Sequence, residues 1–547
     1  MTEPSTPIAE NLPASRAARI GWAILILATL YVCYFSHLGA IGFVGPDEPR
    51  YAWIARDMAE TGDWVTPRLY GKPWFEKPPL FYWGAATSFK LFGVSEAAAR
   101  LPSAISALLA TLALAWLALR LYGAESARWL LLLLPTTVGM IGFSHAAATD
   151  MPFSAMLTIA MVCAAVVLGL TRNEHTPVLP HTPWLALILF GFFLGAAVLA
   201  KGPAAIILSG GAVFFWALFT KRWQDAFRLL HPVAIASFCL TALPWYILCA
   251  RRNPDFFRIF IIEHNFKRFL TPEFQHIQPF WYYIPIVLIA VFPWTLILLA
   301  QLFNWFSSPR LDRPAPSAFL LSSSVLPIVF FSLSQSKLPG YVLPALPPLV
   351  LLLCRFTTAL IKESSSLLAR TMSLFGILVS AAGIFAGRLT WKEPRSFPFD
   401  QLWIWYWIGA LFAVGAFIAL AATVRRLQLA LASTILAVAC LVQGANYFIL
   451  PRIDFRLTGH DLGIYAQTLP ANMIDHVCIF ELDRSAEFSL NYYYHRELPT
   501  WSTQQSGCHD VFASPRGIND LEKQGVQTGK EIHFFKDVYG IHVRSFK

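Results

Sequence analysis

Apolar residues recur along this chain in blocks of about 17 to 25, each long enough to cross a hydrocarbon core as an α-helix. About thirteen such runs are predicted, near 20–43, 101–120, 127–143, 151–170, 182–200, 203–220, 232–249, 281–303, 317–334, 341–361, 371–387, 402–423 and 428–447. After Gly444 the pattern turns polar. There "HVCIFEL" and "EFSLNYYY" read as strands, "INDLEKQG" as a short helix and "EIHFFKDVYGIHVRSF" as a hairpin. The predicted fold class is therefore a polytopic α-helical membrane protein with a small α/β module at its C-terminal end. Residues 1–447 form the transmembrane domain in this reading, and residues 448–547 the α/β domain.

Composition agrees with that pattern. The 547 residues are 56% hydrophobic and only 14% charged, with a mean hydropathy of +0.53, which excludes an ordinary soluble enzyme. The first apolar run is too long for a signal-peptide core and has no clear small-residue cleavage site, so it reads as a retained anchor. With the N-terminus in the cytoplasm, the inner connections hold Arg16, Arg19, Arg120, Arg128, Arg172, Lys221, Arg222, Arg228, Arg310, Arg313, Arg355, Lys362, Arg370, Arg425 and Arg426. The same assignment puts the tail and the two long loops, 44–100 and 250–280, outside.

The outer loops break the charge bias. Loop 250–280 carries Arg251, Arg252, Arg258, Lys267 and Arg268, and the earlier loop carries Arg50, Arg56, Arg68, Lys72 and Lys77. Two readings are open: snorkelling to lipid phosphates, or an anionic substrate at the outer surface. The net charge of +10 fits both. Topology also gathers Asp47, Asp150, Lys201, His264 and Lys337 on that side. Any one of them can be a solvated helix-end charge, but their shared sidedness suits a carboxylate-and-cation pocket at the membrane surface. Tyr51, Ile54 and Met58 recur at helical spacing, with Arg50, Arg56 and Asp57 facing elsewhere, as in a helix lying in the interface. A lipid transporter would instead place ionisable residues near the midplane, often within repeated halves, and no internal repeat is visible.

Carboxylates beside cations at such a surface fit transfer of a sugar from a polyprenyl phosphate: cations stabilise the departing phosphate and a carboxylate activates or orients the acceptor. No Walker loop or G-x-G-x-x-G fingerprint is present. The stretches "GPDEPRYAWIARDMAETGDWVTP", "FEKPPLFYW", "TDMP", "AKGP", "IEHNFKRF", "PFWYY" and "SKLPGYVLPALPPL", in that order over roughly residues 20–350, resemble the bacterial 4-amino-4-deoxy-L-arabinose transferases of lipid A. These belong to the integral-membrane glycosyltransferases of GT-C fold, together with the protein O-mannosyltransferases.

The resemblance implies thirteen transmembrane helices, a small periplasmic domain, residence in the bacterial inner membrane, and inverting transfer from an undecaprenyl phosphate-linked sugar to lipid A, with polymyxin resistance as the outcome. Carried over motif by motif, it gives Asp47 and Asp150 as catalytic carboxylates, and Arg50, Tyr51, Lys77, Lys201, Arg268 and Lys337 as substrate or phosphate contacts. It also gives Glu76 and His264 as a metal pair, with zinc the suspected ion; a plain Glu–His hydrogen bond is the alternative. Asp47 has two open roles, base or orienter of the donor amine, because a lipid A phosphate is already ionised whereas a hydroxyl needs deprotonation. Another sugar, or a protein or glycan hydroxyl as acceptor, is the runner-up. Six of the eight cysteines lie in or beside apolar runs, leaving Cys478 and Cys508 in the tail, where an oxidising compartment would let them pair.

Overall fold

The computed structural model describes residues 16–171, 183–271, 277–307, 315–392, 401–463, 476–502, 508, 510–529, 532–533 and 538–544. The inner cations Arg172, Arg310 and Arg313, part of the second outer loop and the turn of the predicted tail hairpin lie outside the described residues, as does the side chain of Arg268.

The first half of the chain forms helices α1 (Arg16–Tyr34), α2 (Asp47–Thr61), α3 (Leu80–Phe92), α4 (Glu96–Tyr122), α5 (Ala124–Leu133), α6 (Val138–Ser144), α7 (Asp150–Val167), α8 (Trp184–Lys201) and α9 (Ala204–Thr220). Among the described residues ten helices are long and apolar enough to cross a membrane, and α5 with α6, bent by 62°, makes an eleventh if the pair is one span. Two predicted runs fall short of that length. α9 has 17 residues, and run 281–303 divides into helices Tyr283–Val291 and Thr295–Ser307. Pro293 lies in that break, where its missing amide N–H cannot serve a continuous helix.

Burial sorts the spans. α7 is enclosed on nearly all sides, whereas only 22% of the apolar window of α1 is covered by protein. The spacing of Gly191 and Gly195 on α8 lets it approach helix Pro232–Arg252 closely: a Cβ at Gly191 would lie 2.2 Å from the Ala234 carbonyl oxygen, and one at Gly195 2.8 Å from Thr241. Small residues four apart are how membrane helices bring backbones together without a hydrophobic driving force.

At one end of the bundle sits the tail module. Its strands β3 (Val477–Phe480) and β4 (Asp510–Ala513) pair in parallel, and β7 (Tyr539–Arg544) pairs antiparallel with β4 and with the short β5 (Gln527–Thr528) and β6 (Ile532–His533); β1 (Arg68–Leu69) and β2 (Lys72–Pro73) form a separate ribbon in the first outer loop. The predicted strand "HVCIFEL", the helix at "INDLEKQG" and the pairing within the last segment are all present. "EFSLNYYY" is not a strand: Arg484–Tyr493 is a helix, capped by Asp483, whose Oδ1 accepts from the Ala486 N–H at 2.6 Å.

Cys478 and Cys508 form a disulfide, with Cα atoms 5.9 Å apart. It closes a loop with a sequence separation of 30, worth about 3–4 kcal/mol in the chain-entropy account. Cys478→Ser in the full-length protein is expected to lower the temperature at which trypsin begins to cut the tail. Mass spectrometry without reductant should find both thiols masked in the wild type.

The tail is tied to the bundle by polar contacts. Phe43 N–H donates to the Tyr493 hydroxyl at 2.9 Å, that hydroxyl donates to Glu96 at 2.8 Å, and Gly42 N–H donates to Asp454 at 2.9 Å. His460 Nδ1 lies 3.0 Å from Asp454, and its Nε2 3.9 Å from Glu96. The Asp454 hydrogen bond raises the His460 pKa above the ordinary histidine value, against partial burial and with help from Glu96. A raised histidine stabilises the fold fully below its unfolded pKa and loses that contribution as pH rises through its folded value. Tail protection against trypsin is therefore expected to weaken as pH climbs past the usual histidine range, and His460→Gln should abolish that pH dependence.

Candidate active site

The site is built around the start of α2. Asp47 and Glu48 occupy its first turn, where carboxylates are favoured by the free N–H groups and the helix dipole. Successive helical positions point about 100° apart, and the two acids have opposite fates. The Glu48 side chain is 9% exposed and takes a bidentate pair from Arg100 of α4, Nε to Oε1 at 3.0 Å and Nη2 to Oε2 at 2.8 Å. It also accepts from the backbone N–H groups of Val44 and Ala147, each at 2.7 Å. The remaining Arg100 N–H groups go to the carbonyls of Leu38, Ile41 and Gly42 at 2.7–2.8 Å, so all five donors are used. This pair fixes the chain before α2 against α4 and the 145–149 connection.

Asp47, 46% exposed, faces outward and pairs with Arg50. Arg50 is buried and also holds Glu76 at 3.0 Å, while Lys77 stands 3.8 Å from Glu76. The rings of Tyr51, Trp74 and Phe488 lie 5.3–5.4 Å from the guanidinium. Burial opposes the Arg50 charge, yet Glu76 and Asp47 more than offset it and push the pKa above the ordinary guanidinium value. The neighbouring phenols of Tyr51 and Tyr82 are pushed well above the usual tyrosine range, first by burial and then by those carboxylates. Both stay protonated. The buried Tyr82 hydroxyl has no hydrogen-bond partner among the described residues.

A second cluster lies beyond the 145–149 connection. Asp150 opens α7 and receives Lys201 Nζ, from the end of α8, at 2.5 Å. That ammonium sits 4.6 Å from the Tyr341 ring centroid. Gly340 packs so tightly that a Cβ there would lie 2.3 Å from Asp150 Oδ1. Lys337, three residues earlier, is buried and donates to the Ser334 carbonyl at 2.5 Å; burial pulls its pKa below the ordinary lysine value.

The second outer loop joins the two clusters. Trp245 Nε1 donates to Val65 O at 2.9 Å, Asn253 Nδ2 to Thr66 Oγ1 at 3.0 Å, and Arg252 to Asp63 at 3.0 Å. Phe256 stacks edge-on against Phe75, next to Glu76, at 5.3 Å. The segment continues as a π-helix over Arg258–Lys267, which carries His264, and the Gln335 N–H then bonds Phe269 O at 3.0 Å. Bulged helical turns of this kind concentrate at functional sites.

The structure thus brings Asp47, Arg50, Tyr51, Glu76 and Lys77 together, and separately Asp150 with Lys201 and the Lys337–Gly340 segment. Asp150 pairs with Lys201, not with Asp47. Glu76 is engaged by Arg50 and Lys77, and His264 lies on the π-helix over Arg258–Lys267. The group of three metal-capable side chains among the described residues is elsewhere, at Asp454, His460 and Asp461.

Several outer cations have a third use beside those expected. Arg56 pairs with Glu60, Arg68 with Asp63, Lys72 with Glu497, and Arg258 with Asp255 and Glu263. Arg50 departs from the interfacial-helix pattern, being enclosed by protein between α2 and the tail. Glu48, Arg100, Tyr82 and Phe488 escaped the sequence reading. "PDE" and "FEKPPLFYW" contain two of them, but nothing in the string separates Glu48 from Asp47 or pairs it with an arginine 52 positions away.

Comparison with known proteins places this arrangement. The family model for dolichyl-phosphate-mannose-protein mannosyltransferases matches residues 20–260. An undecaprenyl phosphate-alpha-4-amino-4-deoxy-L-arabinose arabinosyl transferase of Edwardsiella ictaluri is 33% identical over 368 residues, covering 67% of this chain and 64% of that protein. One from Aeromonas salmonicida is 32% identical over 364 residues, covering 66% and 64%. The chain is similar to these transferases over about two thirds of its length. It spans just under two thirds of the length of these curated family members. The fold extends further: the crystal structure of ArnT from Cupriavidus metallidurans bound to undecaprenyl phosphate superposes with a TM-score of 0.75 at 23% identity, over 96% of this chain and 98% of that one. The polytopic helical bundle with its small α/β tail therefore shares the fold of that structure.

Proposed function

We propose that this protein is an inverting glycosyltransferase that moves 4-amino-4-deoxy-L-arabinose from undecaprenyl phosphate to a phosphate of lipid A. The observation that carries the reading is the Asp47–Arg50–Glu76–Lys77 array, an outward-facing carboxylate set beside buried cations at one end of a membrane bundle. Relatives sharing about a third of their residues over this region are named for that donor and sugar. The array is proposed to face the periplasm of the bacterial inner membrane, with the N-terminus in the cytoplasm and residues 448–547 as a separate periplasmic domain.

In this reading an ionised lipid A phosphate oxygen attacks the anomeric carbon, the bond from that carbon to the carrier phosphate breaks, and undecaprenyl phosphate leaves with the electron pair. Lys77 and Arg268, with Lys201 and Lys337 as further cations, neutralise the charge that grows on the carrier phosphate. Tyr51 and Tyr82 remain hydrogen-bond donors. Because one Asp47 oxygen is committed to Arg50, Asp47 suits holding the donor amine better than taking a proton, which favours a phosphate acceptor over a hydroxyl. Asp150, locked to Lys201 and Gly340, sets the position of that lysine. A divalent ion between Glu76 and His264 would need carrier oxygens or water to complete its ligand set; when bound it would add positive charge at the leaving phosphate, and no step above depends on it.

The test is reconstitution of purified protein with undecaprenyl phosphate-aminoarabinose and lipid A. Lipid A gaining one aminoarabinose with release of undecaprenyl phosphate supports the proposal. Transfer only to a hydroxyl acceptor, or only from another sugar donor, overturns it in favour of a different member activity of the family.

A further inference from the structure

The end of the bundle opposite the candidate active site carries a second polar pocket. α4 runs from Glu96 and Arg100 at the active-site end to Tyr122, about 40 Å along its axis. Near Tyr122 a cavity of about 370 Å³ opens between helices Thr295–Ser307, Ala315–Ser332 and Leu346–Lys362. Each helix turns one face to it: Gln301, Asn304 and Trp305 from the first, Ser317 and Leu321 from the second, and Leu352, Arg355, Phe356 and Ala359 from the third.

Arg355 is the charged group of this lining. Its guanidinium reaches the neighbouring helices: Nη1 donates to Ser317 Oγ, and Cζ lies 5.0 Å from the centroid of the Tyr122 ring. No carboxylate pairs with it among the described residues; the nearby Lys362 and Glu125 pair with each other at 3.6 Å. A half-buried cation among apolar spans is costly without a counter-charge. Gln301 supplies the complementary feature. Its Nε2 donates to the Leu352 carbonyl at 3.3 Å, which leaves the buried Oε1 facing no hydrogen-bond donor among the described residues.

One guanidinium with N–H groups beyond the one given to Ser317, an amide oxygen awaiting a donor, and apolar side chains beside them make a matched set. The cation suits a phosphate oxygen, the amide oxygen suits a headgroup hydroxyl, and Leu321, Leu352 and Phe356 suit acyl chains. We propose that this pocket binds an anionic glycerophospholipid with a hydroxylated headgroup, of the phosphatidylglycerol class, from the leaflet opposite the candidate active site. The proposal is independent of the transferase reading.

Native mass spectrometry of delipidated full-length protein, titrated separately with phosphatidylglycerol, phosphatidylmethanol and glycerol 3-phosphate, tests it. Expected is retention of one phosphatidylglycerol that Arg355→Ala weakens at least tenfold, no displacement by glycerol 3-phosphate, and loss in Gln301→Leu of the preference over phosphatidylmethanol, which is anionic but has no headgroup donor. Gln301→Leu leaves every charge in place and so stands in for Arg355→Ala if that variant does not fold. Equal phosphatidylglycerol binding by wild type and Arg355→Ala, or an unchanged headgroup preference in Gln301→Leu, overturns the proposal. Full displacement by glycerol 3-phosphate overturns the lipid as occupant and makes the ligand a free phosphate ester.

Discussion

Arg100→Ala is expected to destabilise the protein by about 3–5 kcal/mol, because it strands Glu48 as a buried charge without its cation. Three backbone carbonyls, at Leu38, Ile41 and Gly42, lose their donors in the same step. The loss concentrates where the chain before α2 is fastened to α4, so the candidate active site should loosen before the spans do. A fluorescence melt in detergent, with exposure of Cys33 and Cys249 to a thiol probe, reads both effects. Glu48→Gln combined with Arg100→Met removes both charges and is expected to recover part of the lost midpoint, since an apolar replacement of a buried pair is often tolerated. An Arg100→Ala protein that melts with the wild type would mean that the pair does not organise this end of the bundle.

The second large effect concerns Arg50. Arg50→Ala leaves Asp47 and Glu76 without the cation that they share and removes the plane against which Trp74 and Phe488 rest. The proposed transfer is expected to fall about 10²–10³-fold, the usual cost of deleting one preorganised charge-stabilising group, while the protein still elutes as a folded species. Arg50→Lys should recover little, because a single ammonium cannot span two carboxylates as a planar guanidinium does. Near-wild-type transfer by Arg50→Ala would place the chemistry elsewhere, with the Asp150–Lys201 pair the next cluster to test.

How much of this was legible beforehand depends on what each residue's surroundings write into the local pattern. Long apolar runs report themselves through length, and every predicted span falls on a helix or a broken helix. α2 was visible because Tyr51, Ile54 and Met58 share one buried face. The tail helix Arg484–Tyr493 was hidden by its own burial. Ala486 and Leu490 pack into the sheet-side core while Phe488, Tyr492 and Tyr493 pack against the first outer loop. With both sides covered, the period of 3.6 fades and the aromatic run imitates a strand. Asp483 as N-cap was the available signal.

The candidate site was legible as a list and illegible as a set of pairs. Sidedness gathered Asp47, Asp150, Lys201 and Lys337 at one end, but only tertiary structure could separate the structural carboxylate Glu48 from the exposed Asp47, or assign Lys201 to Asp150. Pairs 51 and 52 residues apart leave no local trace in one sequence. The outer cations carried a similar ambiguity: of the nine with described side chains, six resolved into ion pairs within the loops themselves and a seventh, Lys72, into a pair with Glu497 of the tail.

The most direct measurement is the mass spectrum of lipid A from a host lacking its own aminoarabinose transferase, expressing either the wild-type protein or Asp47→Ala at matched membrane levels. The account predicts lipid A carrying aminoarabinose and polymyxin resistance with the wild type, both lost in the variant. An undiminished aminoarabinose increment in Asp47→Ala would contradict the role given to the exposed carboxylate, and no increment from well-expressed wild type would contradict the proposed transfer itself.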